Sequence, residues 1–141
     1  MAKWIKPNLE TKFHIDFDWW EREGRDLRVY LQSYLCSECK TVYTNHHRDE
    51  QVDWIDPETA EVTRVDALWQ SLRTHCSQRP DFITESTPLT DAVFRVFLAN
   101  GNKPLSATEL HEILNRRYTP TTILRTLGGR QIYKGIRPVI E

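Results

Sequence analysis

Hydrophobic residues along the chain follow two periods. From Lys12 to Phe17, Phe13, Ile15 and Phe17 alternate with Lys12, His14 and Asp16, the period of a half-buried strand. Residues 1–11 before it show little periodicity and read as an extended arm. Leu27, Tyr30, Leu31, Tyr34 and Leu35 then recur at i, i+3, i+4, i+7 and i+8, one apolar helical face. Asp16 or Asp18 caps this region, and Gly24 weakens its middle, so a separate or bent first turn is expected. Thr41 to Thr44 reads as a β segment, and Val52–Asp56 and Glu61–Val65 as a β-hairpin around Pro57-Glu58-Thr59-Ala60. Asp66 caps a further helix, with Leu68, Trp69, Leu72, His75 and Cys76 on adjoining faces, ending near Ser77 and before Pro80.

From Thr87 the pattern is of shorter helices. Thr87-Pro88 opens one through Leu89, Val93, Val96 and Phe97, stopped by Asn100-Gly101-Asn102. Ser106-Ala107-Thr108-Glu109 is a capping box that opens a second, with Leu110, Ile113 and Leu114 as its stripe. Thr119-Pro120 opens a third over Ile123, Leu124 and Leu127, ended by Gly128-Gly129. Arg130–Tyr133 and Ile136–Ile140 read as two strands joined at Lys134-Gly135, the last demoted to an edge by Pro138. The pattern as a whole predicts an α+β protein in two parts, residues 1–86 and 87–141.

Composition narrows the class. With 28% charged and 39% hydrophobic residues over 141 positions, the chain has a globular rather than a disordered profile. No apolar run approaches the roughly 20 residues of a membrane span, so no membrane association is expected. The opening Met-Ala-Lys-Trp-Ile-Lys has no apolar core of a secretory signal, and three cysteines make no complete disulfide framework; a cytoplasmic location is expected. The net charge of −1 conceals a split. Residues 1–87 hold 11 Lys/Arg and 16 Asp/Glu, a net of −5; residues 88–141 hold 8 and 4, a net of +4. All five tryptophans and all three cysteines fall in the acidic part.

The cysteines carry the first candidate chemistry. Cys36-Ser37-Glu38-Cys39 is a C-x-x-C, whose spacing lets two thiolates reach one metal ion from a tight turn; followed by a strand, it is half of a structural zinc site. In thioredoxin-like redox motifs the C-x-x-C instead opens a helix after a strand, and here it is read as closing one. Cys76 is the third ligand in this reading. The fourth is His75, ahead of His46 and His47, with His14 the remaining candidate. Adjacent residues on a helix diverge by about 100°, so His75 and Cys76 share an ion only if the helix ends there. Ser77, Gln78 and Pro80 favour such an end. Zn²⁺ in a structural role is the expected cofactor. The His46-His47-Arg48-Asp49-Glu50 cluster contains the residue types of a metallonuclease, but it lies in a polar connection, and no catalytic residue is assigned.

Three short helices, the second and third joined by a turn, followed by a β-hairpin, resemble a winged helix-turn-helix domain. The resemblance covers residues 87–141 and rests on element order and length, with Leu105-Ser106-Ala107-Thr108-Glu109-Leu110 opening the second helix. It implies a third helix in the major groove and a wing on the backbone or minor groove of double-stranded DNA. On this sequence that assigns Thr121, Thr122, Arg125 and Thr126 to the exposed side of the third helix, with Arg116 and Arg117 ahead of it. Arg130, Lys134 and Arg137 fall on or beside the wing. The resulting expectation is a non-enzymatic, zinc-containing DNA-binding protein that regulates transcription. The alternative is a non-catalytic protein-interaction subunit of a larger nucleic-acid-processing complex, or a homo-oligomer, using aromatics such as Trp4, Trp19 or Trp20.

Overall fold

A computed structural model describes residues 6–46, 51–56 and 58–139. In chain order the elements are β1 (Lys12–Ile15), α1 (Phe17–Arg22), α2 (Leu27–Gln32), α3 (Ser37–His46), β2 (Gln51–Ile55), β3 (Val62–Asp66), α4 (Ala67–Thr74), a 3₁₀ turn (Cys76–Gln78), α5 (Leu89–Ala99), β4 (Leu105–Ser106), α6 (Ala107–Ile113), α7 (Pro120–Leu127) and β5 (Ile136–Pro138). The class is α+β. No helix among the described residues is long and apolar enough to cross a membrane.

The chain forms two compact units, residues 26–82 and residues 1–25 with 83–141. The break near residue 86 expected from sequence thus falls at 82/83, and the first 25 residues join the C-terminal part. The larger unit holds 13 Lys/Arg and 10 Asp/Glu, a net of +3, and the smaller 6 and 10, a net of −4, so the charge split survives the new boundary.

In the larger unit β1 is the central strand. It pairs antiparallel with β4 on one side (Phe13 opposite Leu105) and with β5 on the other (Ile15 opposite Ile136). Its alternation buries Phe13 and Ile15 completely. They join a core built from Val93, Phe94 and Phe97 of α5, Leu110 of α6, Ile123 and Leu127 of α7, and Ile136. Asp16 accepts from the Asp18 amide to cap α1, and Gly24, at φ +66°, follows its end, giving the separate first turn the sequence suggests. The capping box forms with both of its bonds: Ser106 Oγ accepts from Glu109 N and Glu109 Oε1 from Ser106 N. Thr119 caps α7 with Pro120 at its first position. Thr87 does not cap α5; its hydroxyl accepts from Thr84 N, and Pro88 takes the cap position.

The expected wing hairpin is not built. Residues 130–133 form no strand, and β5 pairs with β1 instead. The turn itself is present: Lys134 (φ +54°) and Gly135 (φ +77°) are both left-handed, and Ile136 N donates to Tyr133 O at 2.9 Å. It delivers the chain to β1 rather than back onto residues 130–133, for Gly135 O accepts from Asp16 N at 2.8 Å.

In the smaller unit α2 packs on α4, and β2 and β3 form the expected hairpin, with Ile55 opposite Val62. Asp56 ties its turn by accepting from Glu58 N and Thr59 N. Among the described side chains its core holds Leu31, Tyr34, Leu35, Leu68, Leu72, Cys76 and Phe82. Asp26 caps α2, and Asp66 caps α4 while pairing with Arg28. The β segment expected at Thr41–Thr44 is helical, within α3. Lys40 N donates to Cys36 O at 2.9 Å to start the helix, and Thr41 Oγ1 donates to Ser37 O, the back-bond that reconciles a β-branched residue with a helix.

Candidate metal centre

Two breaks in regular structure bring four donors together. The first is the start of α3. Cys36 stands just ahead of the helix and Cys39 one turn in, so both thiols face the same side of its N-terminal turn. The C-x-x-C therefore opens a helix, after α2 and a short loop, rather than closing one. The second is the end of α4. His75 N still bonds Ser71 O at 3.0 Å, but at φ −112° and ψ −60° the helix gives way there, and the chain restarts as the 3₁₀ turn of Cys76–Gln78. That break removes the divergence of neighbouring helical side chains, and His75 and Cys76 converge.

The donor atoms of Cys36, Cys39, His75 and Cys76 all lie within 4.8 Å of one another. His75 Nδ1 is 3.4 Å from Cys36 Sγ and 3.3 Å from Cys39 Sγ. A tetrahedral ion with bonds of ~2.3 Å to sulfur and ~2.0–2.1 Å to nitrogen has S···N edges of about 3.6 Å, so the spacing fits one metal ion. Cys36 N donates to Cys76 Sγ at 3.3 Å, a backbone contact of the kind that supports a thiolate. Cys76 is buried, Cys36 and Cys39 half-buried, and His75 reaches solvent. These are the four residues the sequence reading favours. His14 lies on β1 in the other unit, His46 closes α3, and His47 lies outside the described residues, as do Arg48, Asp49 and Glu50.

The thiols do not ionise alike. Burial pushes Cys36 up, but hydrogen bonds from the Cys39 amide and from the Cys39, Cys76 and His75 side chains outweigh it and bring it to about 7. Burial pushes Cys39 up to about 12, helped by the neighbouring Cys76 and Cys36 sulfurs. Burial also raises Cys76. Three sulfurs this close resist becoming three thiolates without a cation among them, and a divalent ion would supply that charge.

Glu38, which sequence reasoning passed over, completes the surroundings. Its Oε2 lies 3.5 Å from His75 Nε2 and its Oε1 3.9 Å from Arg79 Nη1. A carboxylate between the two cysteines of a C-x-x-C is the signal that points to it.

The residues assigned to DNA lie in the other unit. Thr121, Thr122 and Arg125 are exposed on α7, opposite the buried Ile123 and Leu127. Thr122 also serves the helix start, its N–H and hydroxyl both bonding Thr119 Oγ1. Arg130 is exposed and Lys134 half-buried in the turn before β5. Arg116 is exposed and pairs with Glu112 at 3.3 Å; Arg117 donates to Thr84 O at 2.9 Å and lies over the Tyr118 ring. Arg137 sits on β5, half-buried, 3.2 Å from Asp16, so its charge is matched within the fold rather than presented on a wing.

No family model, curated protein or solved structure matches the chain.

Proposed function

We propose that the protein is a zinc-stapled DNA-binding protein acting in transcription regulation. The observation that carries the metal part of this reading is the convergence of three cysteine sulfurs and one imidazole nitrogen, all within 4.8 Å of one another. Thiolates and imidazole select zinc among the available divalent ions, and four protein donors close the tetrahedron, leaving no position for water or substrate. That describes a structural ion, and a unit as short as residues 26–82 has need of one, since so short a unit seldom stands on hydrophobic burial alone.

DNA binding is assigned to the larger unit. Support comes from its net charge of +3 and from α7, a short helix joined to α6 by a turn, which buries one face and presents Thr121, Thr122 and Arg125 on the other. Arg125 is the residue best suited to a base edge, because a guanidinium binds guanine bidentately. The order of α5, α6 and α7 supports a winged-helix reading; residues 130–133, which form no strand, do not. The test is elemental analysis together with a duplex-DNA titration across a salt series. One zinc per chain, and an affinity that falls linearly with the logarithm of salt, are expected. Absence of duplex binding at low salt would overturn the DNA reading, and absence of zinc would overturn the metal reading.

A protein-interaction role is the second reading. Its expected aromatics do not carry it, since Trp19 and Trp20 are buried and Trp4 lies outside the described residues; it is favoured instead by Ile55 and Val62, paired across the hairpin end and 62% and 61% exposed. Loss of partner or self-association on replacing both with serine, with DNA affinity unchanged, would support it.

A further inference from the structure

We infer that Glu38 is the outer-shell carboxylate of the metal centre, holding His75 so that Nδ1 is the metal-binding nitrogen. The inference rests on the zinc reading above and concerns how the fourth ligand is set. A neutral imidazole carries one N–H. To offer the Nδ1 lone pair to a metal, that hydrogen must sit on Nε2 and should find an acceptor there, since a metal-bound histidine nearly always donates its other N–H to a carboxylate, a carbonyl or water.

The ring is placed in this way. Nδ1 faces the sulfurs of Cys36 and Cys39 at 3.4 and 3.3 Å, and Nε2 faces Glu38 Oε2 at 3.5 Å. The second carboxylate oxygen lies 3.9 Å from Arg79 Nη1, and Arg79 Nε is as far from Asp81 Oδ1, so the guanidinium stands between the two carboxylates. The geometry follows from chain order. Glu38 lies between the two cysteines, so the turn of α3 that presents their thiols also carries the carboxylate to the outer edge of the imidazole. One tetrapeptide thus supplies two ligands and orients a third that comes from the end of α4.

Glu38 is a positioning residue, and at 70% side-chain exposure its effect should fall at the low end of the 10–100-fold range for outer-shell partners. The experiment uses the full chain loaded with zinc, and compares wild type with Glu38→Ala and Glu38→Gln. Zinc affinity is measured by competition with a chromophoric chelator, and the His75 tautomer by long-range ¹H–¹⁵N correlation. The expected result is Nε2–H in the wild type, about tenfold weaker zinc binding in Glu38→Ala, and recovery of most of that loss in Glu38→Gln, which keeps an acceptor oxygen. Glu38 also lies in the first turn of α3, where its charge favours the helix; that contribution would be lost equally with Ala and Gln, and would leave the tautomer unchanged. Wild-type zinc bound through Nε2, equal affinity in Glu38→Ala, or Gln behaving as Ala would each overturn the assignment while leaving the zinc reading intact. A wild-type chain that takes up no zinc would overturn the zinc reading itself, and this inference with it.

Discussion

The Trp20 indole nitrogen donates to the main-chain carbonyl of Lys134 at 3.0 Å, fastening the helix after β1 to the turn before β5. The contact is close enough to dictate the next residue. A Cβ on Gly135 would stand 2.5 Å from Trp20 Nε1, and Gly135 has a φ of +77°. Gly135→Ala should therefore meet both a steric overlap and a left-handed backbone, and cost about 2–4 kcal/mol in chemical denaturation. A cost below about 1 kcal/mol would show that Trp20 moves aside freely.

Asn102 takes the place of a strand residue beside β1. Its Oδ1 accepts from Ile15 N at 2.8 Å and its Nδ2 donates to Ile15 O at 3.0 Å, while its own backbone sits at φ +62°, which asparagine tolerates. Asn102→Ala would strand both groups of a completely buried residue, and a loss of about 2–4 kcal/mol is expected from the midpoint of urea unfolding. Asn102→Asp keeps the acceptor and loses the donor, and should fall between wild type and Ala only if each bond contributes separately.

What the chain reveals by inspection is what short-range chemistry decides. Ser106 with Glu109, Thr119 with Pro120, Asp66 ahead of α4 and the unwinding at His75 are each settled within a few residues, and each appears in the structure as the sequence indicates. Cys36, Cys39, His75 and Cys76 could be assembled because both halves of the site are local turns. Pairing partners are another matter. Ile136–Pro138 has a strand pattern whether it lies against residues 130–133 or against Lys12–Ile15, and nothing in its own composition selects the distant partner. That choice also decides that residues 1–25 belong with the C-terminal part, and that Arg137 meets Asp16 instead of standing on a wing. Thr41–Thr44 reads as a strand and is helical for a related reason: β-branched residues suit a strand unless the preceding turn has already started a helix.

Glu109 provides a pH signature. The ion pair with Lys12, together with the Ser106 amide, holds its carboxyl below the usual glutamate range. A native value below the unfolded one means that the stabilisation is present above the unfolded pKa, about 4.3, and is lost as pH falls through the native value. Glu109→Gln retains an oxygen for the capping box and removes the charge. It should be slightly less stable than wild type at pH 7, by under about 1 kcal/mol because both side chains are well exposed, and the gap should narrow as pH falls below about 4.3 and through the native value. A gap that persists unchanged at pH 3 would show that the charge on Glu109 is not its source.

Arg125 tests the α7 face separately from the fold. Its side chain is exposed, so Arg125→Ala should leave the unfolding free energy within about 0.5 kcal/mol of wild type while weakening duplex binding by about 1–3 kcal/mol if it reads a base. If it contacts only phosphate, the loss should be uniform across sequences and the salt slope should drop by about one. Unchanged affinity would move any nucleic-acid contact off this helix.

Metal removal should act on one unit and spare the other. All four donors belong to residues 26–82, a short unit, whereas the larger unit buries Phe13, Ile15, Phe94, Phe97 and Leu110 without any of them. Binding energy at a structural zinc is folding energy for the segment that holds it. Chelation should therefore abolish amide-exchange protection in α2 and α4 while leaving β1 and α5 protected, and added zinc should restore it. Cys76→Ser should reproduce the chelated pattern in the presence of zinc. Uniform loss of protection across both units would mean that they fold as one, and no change in either would mean that the four donors hold no ion that matters to the fold.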